Sequence, residues 1–195
     1  MDDVLVATAL SFAVIFVAEL GDKSQLMAMT LATRYKPWPI LAGITVATAG
    51  VHAVSVAVGA VAGKSLPTDW ITFIAGIAFV GFAAWTLRGD ELTAEDEAAA
   101  ARARRSAFVT ALIVFFIAEL GDKTMLATIT LATREGLFGT WLGSTVGMVA
   151  ADALAIGIGA VLGRRLPEKA VRIGASALFV VFGVLLIIEA VRALT

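Results

Sequence analysis

The sequence predicts an all-α, polytopic membrane protein, with six transmembrane helices arranged as two inverted three-helix repeats. Three observations carry this prediction. The 195 residues are 59% hydrophobic and 16% charged, with a mean hydropathy of +0.92; soluble domains average about 45–50% apolar and about 25% charged residues. Apolar runs long enough to cross a bilayer core of about 30 Å recur from end to end. The second half repeats the first, without a gap, at an offset of 100 residues.

Runs at about 3–33, 39–63, 70–87, 107–133, 138–163 and 170–191 are the candidate spans. The first and fourth are longer than a crossing needs, which predicts tilt or a break. Gly21 and Gly121, near their middles, are natural places for a helix to bend or unwind. Spans two and five carry Gly59/Gly63, Gly143/Gly147 and Gly159/Gly163, a spacing that lets membrane helices pack closely. The repeat is strongest in its first span. "SFAVIFVAELGDKSQLMAMTLATR" (11–34) and "ALIVFFIAELGDKTMLATITLATR" (111–134) are identical at 14 of 24 positions. It continues in "VGAVAGKSLP" (58–67) and "IGAVLGRRLP" (158–167), then fades to matches such as Phe79/Phe179 and Phe82/Phe182. The domains are therefore residues 1–88, a charged linker at 89–106, and residues 107–195. An odd number of spans per repeat makes the second copy enter from the opposite face, as in many secondary transporters.

Lysine and arginine set the expected orientation. Arg34, Lys36, Arg88, Arg102, Arg104, Arg105, Arg164, Arg165, Lys169 and Arg172 fall on one side, against Lys64, Arg134 and Arg192 on the other. The positive-inside rule then places the linker in the cytoplasm and both termini outside the cell (plasma or inner) membrane. Trp38, Trp70 and Trp141 open spans and Trp85 closes one, the expected interfacial belts. The linker, with Thr93 and Asp96 as a capping box, reads as a solvated helix. The opening "MDDVLV" lacks the basic start of a signal peptide and is expected to be retained.

Composition also excludes functions. Without cysteine there are no disulfides, thiolate metal sites or cysteine nucleophiles. A single histidine, His52, excludes a His-rich zinc or haem site, and a net charge of −1 offers nothing to nucleic acid. No HExxH or GxSxG motif marks a hydrolase, so no enzyme is expected.

The charged motif "AELGDK" occurs at 18–23 and again at 118–123, each time inside an apolar run. In a regular helix Glu19 and Asp22 share a face, as do Glu119 and Asp122. An ionised carboxylate near the midplane costs at least about 2.5–3.5 kcal/mol. The four acids must therefore face one another, a cation or a water-filled path. Inverted symmetry brings the midpoints of spans one and four together, and the resulting oxygen cage suits a hard divalent cation. Ser24 and Thr124 can add oxygens; Thr30 and Thr130 lie on the glutamate face if the helix stays regular. A structural reading pairs Glu19 with Lys23 one turn on. Four carboxylates against Lys23 and Lys123 nevertheless leave two negative charges, which need protons or one divalent cation. Metal binds the deprotonated ligands, so metal and protons compete for the same oxygens, the minimal chemistry of an antiporter. Lys23 and Lys123 are expected to compensate the acids when the metal leaves. His52 and Asp152, at matching repeat positions inside spans two and five, are candidates for the proton path. Packing is an equal reading for His52. Glu189 and Arg192 look like an interfacial pair.

The paired E-x-G-D-[KR]-[ST] signature, here "ELGDKS" (19–24) and "ELGDKT" (119–124), resembles the Gdt family of manganese/calcium–proton exchangers, in its bacterial manganese-exporter form. The resemblance covers essentially the whole chain. It implies that Glu19, Asp22, Glu119 and Asp122 bind a transported Mn²⁺ or Ca²⁺ in exchange for protons, with no resident cofactor. Its partners would be the cation, protons and the bilayer, with the oligomeric state left open. The competing reading is an exporter of a small organic solute such as an amino acid, which predicts a roomier pocket and fewer central acids. A membrane scaffold would leave the two excess charges without explanation.

Overall fold

The computed structural model describes residues 2–32, 35–65, 67–88, 106–162 and 168–194, and among these the chain is entirely helical, apart from short turns. In chain order the helices are α1 (Asp2–Glu19), α2 (Lys23–Ala32), α3 (Pro37–Ser65), α4 (Thr68–Arg88), α5 (Ala107–Glu119), α6 (Lys123–Arg134), α7 (Leu137–Leu162) and α8 (Glu168–Leu194). Local chemistry sets their starts. Pro37, with fixed φ and no N–H to satisfy, opens α3. Ser106 caps α5 by accepting the Val109 amide at 3.3 Å. The capping box at Thr93 and Asp96 lies outside the described residues, as do Arg34, Arg102, Arg104, Arg105, Gly163, Arg164 and Arg165.

Helices α3, α4, α7 and α8 are each long and apolar enough to cross a membrane; α1 and α2 are so together, bent by 75°. The long first span is thus two helices, and the fourth divides likewise into α5 and α6. Both breaks fall at the expected glycines, Gly21 (φ 76°) and Gly121 (φ 81°), a left-handed backbone that a Cβ would strain. The regular-helix geometry is corrected accordingly. Glu19 ends α1 and Asp22 precedes α2, so the two acids sit on either side of a turn. Thr30 and Thr130 lose their regular-helix place beside the glutamates, and donate to the Leu26 and Leu126 carbonyls one turn back.

Each repeat's opening helix packs on the other repeat's second long helix: α1 along α7, and α5 along α3. Small residues permit the approach. A Cβ on Gly147 would fall 2.7 Å from the Phe12 carbonyl oxygen, on Gly43 2.5 Å from that of Phe108, and on Gly59 2.6 Å from that of Ile129. The Gly59/Gly63 and Gly143/Gly147 seams are therefore real contacts. Helices α4 and α8 meet at Gly76 and Gly183, and there the faint Phe79/Phe179 and Phe82/Phe182 matches come together. The Phe79 ring lies 5.9 Å from Phe179 and 6.4 Å from Phe182. On their other sides Ile77, Leu87, Leu178, Val181 and Leu185 are exposed, which suits lipid and would be costly in water. Trp38 and Trp70 are exposed near the starts of their helices. Trp141 instead donates its indole N–H to the Ala49 carbonyl at 3.0 Å. Glu189 forms its ion pair with Arg134, at 3.0 Å, and not with the expected Arg192.

Candidate cation site

Each break delivers a glutamate from the end of one helix and an aspartate from just before the next. The turns are closed by the Asp22 amide donating to the Glu19 carbonyl at 3.1 Å and the Asp122 amide to the Glu119 carbonyl at 3.3 Å. Asp122 holds the N-cap position of α6, yet its carboxylate makes no capping bond.

All four acids are buried. One oxygen each from Glu19, Glu119 and Asp122 lie within 4.8 Å of one another. Hard divalent cations hold oxygens at about 2.0–2.6 Å, which puts opposite ligands about 4–5 Å apart. The spacing fits one shared ion with ligands from both repeats. The glutamates are also oriented. The Ser24 hydroxyl donates to Glu19 Oε2, and the Thr124 hydroxyl to Glu119 Oε2 at 3.0 Å. The Oε1 of each is buried and has no hydrogen-bond partner among the described residues, a costly state for an acid on its own and a suitable one for a ligand.

Asp22 is engaged differently. The Lys123 ammonium donates to its Oδ1, while Lys23 stands 3.5 Å from Asp122 Oδ1. Each lysine thus reaches the other repeat's aspartate, whereas the structural reading pairs Glu19 with Lys23. The pairs are unequal, with Lys123 3% exposed and Lys23 24%.

Asp152 joins this cluster. It is buried in α7, neither oxygen has a hydrogen-bond partner among the described residues, and its charge acts on Asp22, Glu19 and Glu119. Its repeat mate His52 is buried in α3, with Nδ1 3.4 Å from the Thr145 hydroxyl. The structure therefore brings Asp152, and not His52, into the electrostatics of the acids.

Sequence reasoning passed over three neighbours. Gln25, 5% exposed, accepts the Gly21 N–H at 2.8 Å and donates to the Ala151 carbonyl at 2.9 Å. It is the only carboxamide side chain in the chain, and that rarity directly after the motif is a signal visible in the sequence. Thr48 donates to Met148 Sδ at 3.2 Å, joining two matched repeat positions.

The profile of the family described as "Divalent cation/proton antiporter GDT1" matches the chain twice, at residues 7–94 and 107–194. The chain belongs to the GDT1 family. The two matches stand 100 residues apart, the offset of the internal repeat. A Vibrio cholerae relative named "Putative manganese exporter" is 34% identical over 181 residues, covering 91% of this chain and 88% of its own. The Arabidopsis thaliana relative "GDT1-like protein 4" is 30% identical over 221 residues, covering 94% and 96%. No solved structure matches the chain significantly. Membership makes this GDT1 protein a membrane transporter of the divalent cation/proton class and not an enzyme.

Proposed function

We propose that this protein exports Mn²⁺ from the cell in exchange for protons, through a site formed by Glu19, Asp22, Glu119 and Asp122. The observation that carries the reading is the trio of buried oxygens from Glu19, Glu119 and Asp122 within 4.8 Å of one another, drawn from both halves of the chain. Asp22 completes the set from its place against Lys123. Ser24 and Thr124 hold the glutamates and add oxygens when the ion is bound. Mn²⁺ is favoured over Ca²⁺ by the name of the Vibrio cholerae relative.

The exchange follows from charge. Five buried carboxylates, Asp152 among them, face two ammonium groups, an excess of three negative charges if all are ionised. Low dielectric does not tolerate that excess. The cluster holds either protons or a cation, and a cation entering displaces protons because it needs ionised ligands. Lys23 and Lys123 stay in the cluster and keep the emptied site from being purely anionic. Asp152 carries the released proton toward one face, with His52 further along the path.

The two halves act as inverted repeats of three spans each, α1–α2 and α5–α6 each forming one broken crossing. Rocking one half against the other opens the site to each face in turn. The linker is cytoplasmic and the termini lie outside the plasma membrane; the Arg134–Glu189 pair is compatible with the ends of α6 and α8 sharing one side. Two clefts of about 190 and 200 Å³ along α1 and α8, among the described residues, are lined by none of the clustered acids, which gives the organic-solute reading no support there.

Proton-coupled Mn²⁺ flux in proteoliposomes tests the proposal. The wild type is expected to move Mn²⁺ against a pH gradient, and Asp22→Asn, Asp122→Asn and Glu119→Gln to abolish the flux. Normal flux in those variants would make the acids a structural network; a parallel run with Ca²⁺ sets the preference.

A further inference from the structure

We propose that Gln25 is a positioning residue that clasps the first helix break to α7, and that the second break, where Met125 stands in its place, is the one that moves. The flux arm of this inference rests on the transport reading above; its structural arm does not.

The two breaks share a sequence and a backbone, but they are not tied down alike. In the first, Gln25 uses both ends of its carboxamide. Its oxygen takes the Gly21 N–H at 2.8 Å, and its nitrogen donates to the Ala151 carbonyl at 2.9 Å. The first bond fixes the turn between Glu19 and Asp22. The second fixes that turn to α7 beside Asp152. The side chain is 5% exposed, so water does not compete for either bond, and loss of one would strand a buried polar group.

In the second break the Gly121 N–H meets Met125 Sδ at 3.2 Å. A thioether is a weak acceptor and has no proton to donate. Met125 therefore cannot tie the turn to α3 as Gln25 ties its own to α7. At the position matching Ala151, the Val51 carbonyl accepts from Ser55 of its own helix. Leu120, in this second turn, is 47% exposed. Beyond the backbone bond that closes each turn, the side chain at position 25 thus holds the first by two conventional hydrogen bonds, and the side chain at position 125 meets the second by a single weak one. A transporter that rocks one half against the other needs a reference half and a moving half, and this inequality assigns them.

Amide hydrogen exchange on the metal-free full-length protein in nanodiscs, read for residues 20–22 and 120–122, tests the structural arm. The first turn is expected to exchange roughly tenfold more slowly than the second, in keeping with a conventional hydrogen bond against a weak one. Gln25→Met should erase the difference by speeding the first turn. Met125→Gln should slow the second. In Mn²⁺ flux, Gln25→Met is expected to raise KM several-fold, because Glu19 loses its fixed place. Met125→Gln should lower the maximal rate several-fold with KM near wild type, because it stiffens the moving turn. Equal exchange at the two turns of the wild type overturns the proposal, and so does Met125→Gln with wild-type exchange and flux. Should Gln25→Met fail to fold, Met125→Gln decides alone. Wild-type protein that moves no Mn²⁺ would sink the transport reading, while the exchange comparison would still decide whether the first turn is the better held.

Discussion

Removing one lysine at a time separates a buried ion pair from a half-open one. Lys123 is 3% exposed and bonded to Asp22, whose side chain is 1% exposed. Lys123→Met keeps the length of the side chain, removes the charge and strands an ionised aspartate in the interior. Breaking a buried pair in this way costs about 3–5 kcal/mol. Lys23, 24% exposed, stands 3.5 Å from the buried Asp122 in the longer and looser of the two pairs, and Lys23→Met is expected to cost less, about 1–2 kcal/mol. At about 2–4 °C per kcal/mol for a chain of this size, the Lys123 variant should melt roughly 6–20 °C lower and the Lys23 variant only a few degrees lower. The assay is thermal unfolding in detergent without divalent cation, with Asp22→Asn added to each variant. Asp22→Asn should recover much of the loss in Lys123→Met and less in Lys23→Met, since the Lys123 pair is built on that carboxylate. Added Mn²⁺ should restabilise Lys123→Met more than wild type, because the stranded charge is then available to the ion. Equal destabilisation by the two lysine variants, or no recovery in the double variant, would refute the crossed-pair reasoning.

Other outcomes follow from the same geometry. Thr124→Val frees Glu119 Oε2 from its 3.0 Å bond and should weaken Mn²⁺ binding by about 10–100-fold, the range for outer partners of metal ligands, as read by calorimetry. Because the ion needs ionised ligands, apparent Mn²⁺ affinity should fall as pH falls, with protons released on binding; a pH-independent affinity would remove the exchange mechanism. Gly59→Val should destabilise by about 1–3 kcal/mol, because its Cβ would lie 2.6 Å from the Ile129 carbonyl. Gly81→Ala, which meets open space, should leave the melting point unchanged or slightly higher. Asp152→Asn should alter the pH profile of flux, and His52→Ala should alter it less, since Asp152, unlike His52, lies close enough to Glu19 and Glu119 for its charge to act on them.

What the sequence conveyed depended on whether the signal was local. Gly21 and Gly121 announced the breaks because only a residue without Cβ sits easily at positive φ. The acids announced themselves through their cost in an apolar run. The glycine seams and the matched phenylalanines were legible as spacing and repetition, and the structure places them at the α3–α6, α1–α7 and α4–α8 contacts. Pairing across the repeats was not legible. Which aspartate takes which lysine depends on how two turns 100 residues apart face each other, and a helical wheel drawn through Gly21 pointed to the wrong partner. Gln25 escaped because one amide directly after a polar hexapeptide reads as its continuation; only its reach to Ala151 gives it a separate role.

The crossed lysines explain why the motif occurs twice and why its lysine is kept in both copies. Had Lys23 neutralised Glu19 or Asp22 within its own turn, each half would be a self-contained ion pair, indifferent to the other. Lys123 bonds Asp22 and Lys23 faces Asp122, so the two turns are joined by charge across the repeats. Glu19 and Glu119 are oriented by hydroxyls, and in the proposed exchange theirs are the oxygens that an incoming cation would take. On the proposed reading the lysines hold the halves in register and the glutamates receive the cation. On the proposed reading a departing cation is replaced by protons on those same oxygens, because a low-dielectric interior that tolerates two crossed pairs tolerates bare glutamates between them poorly.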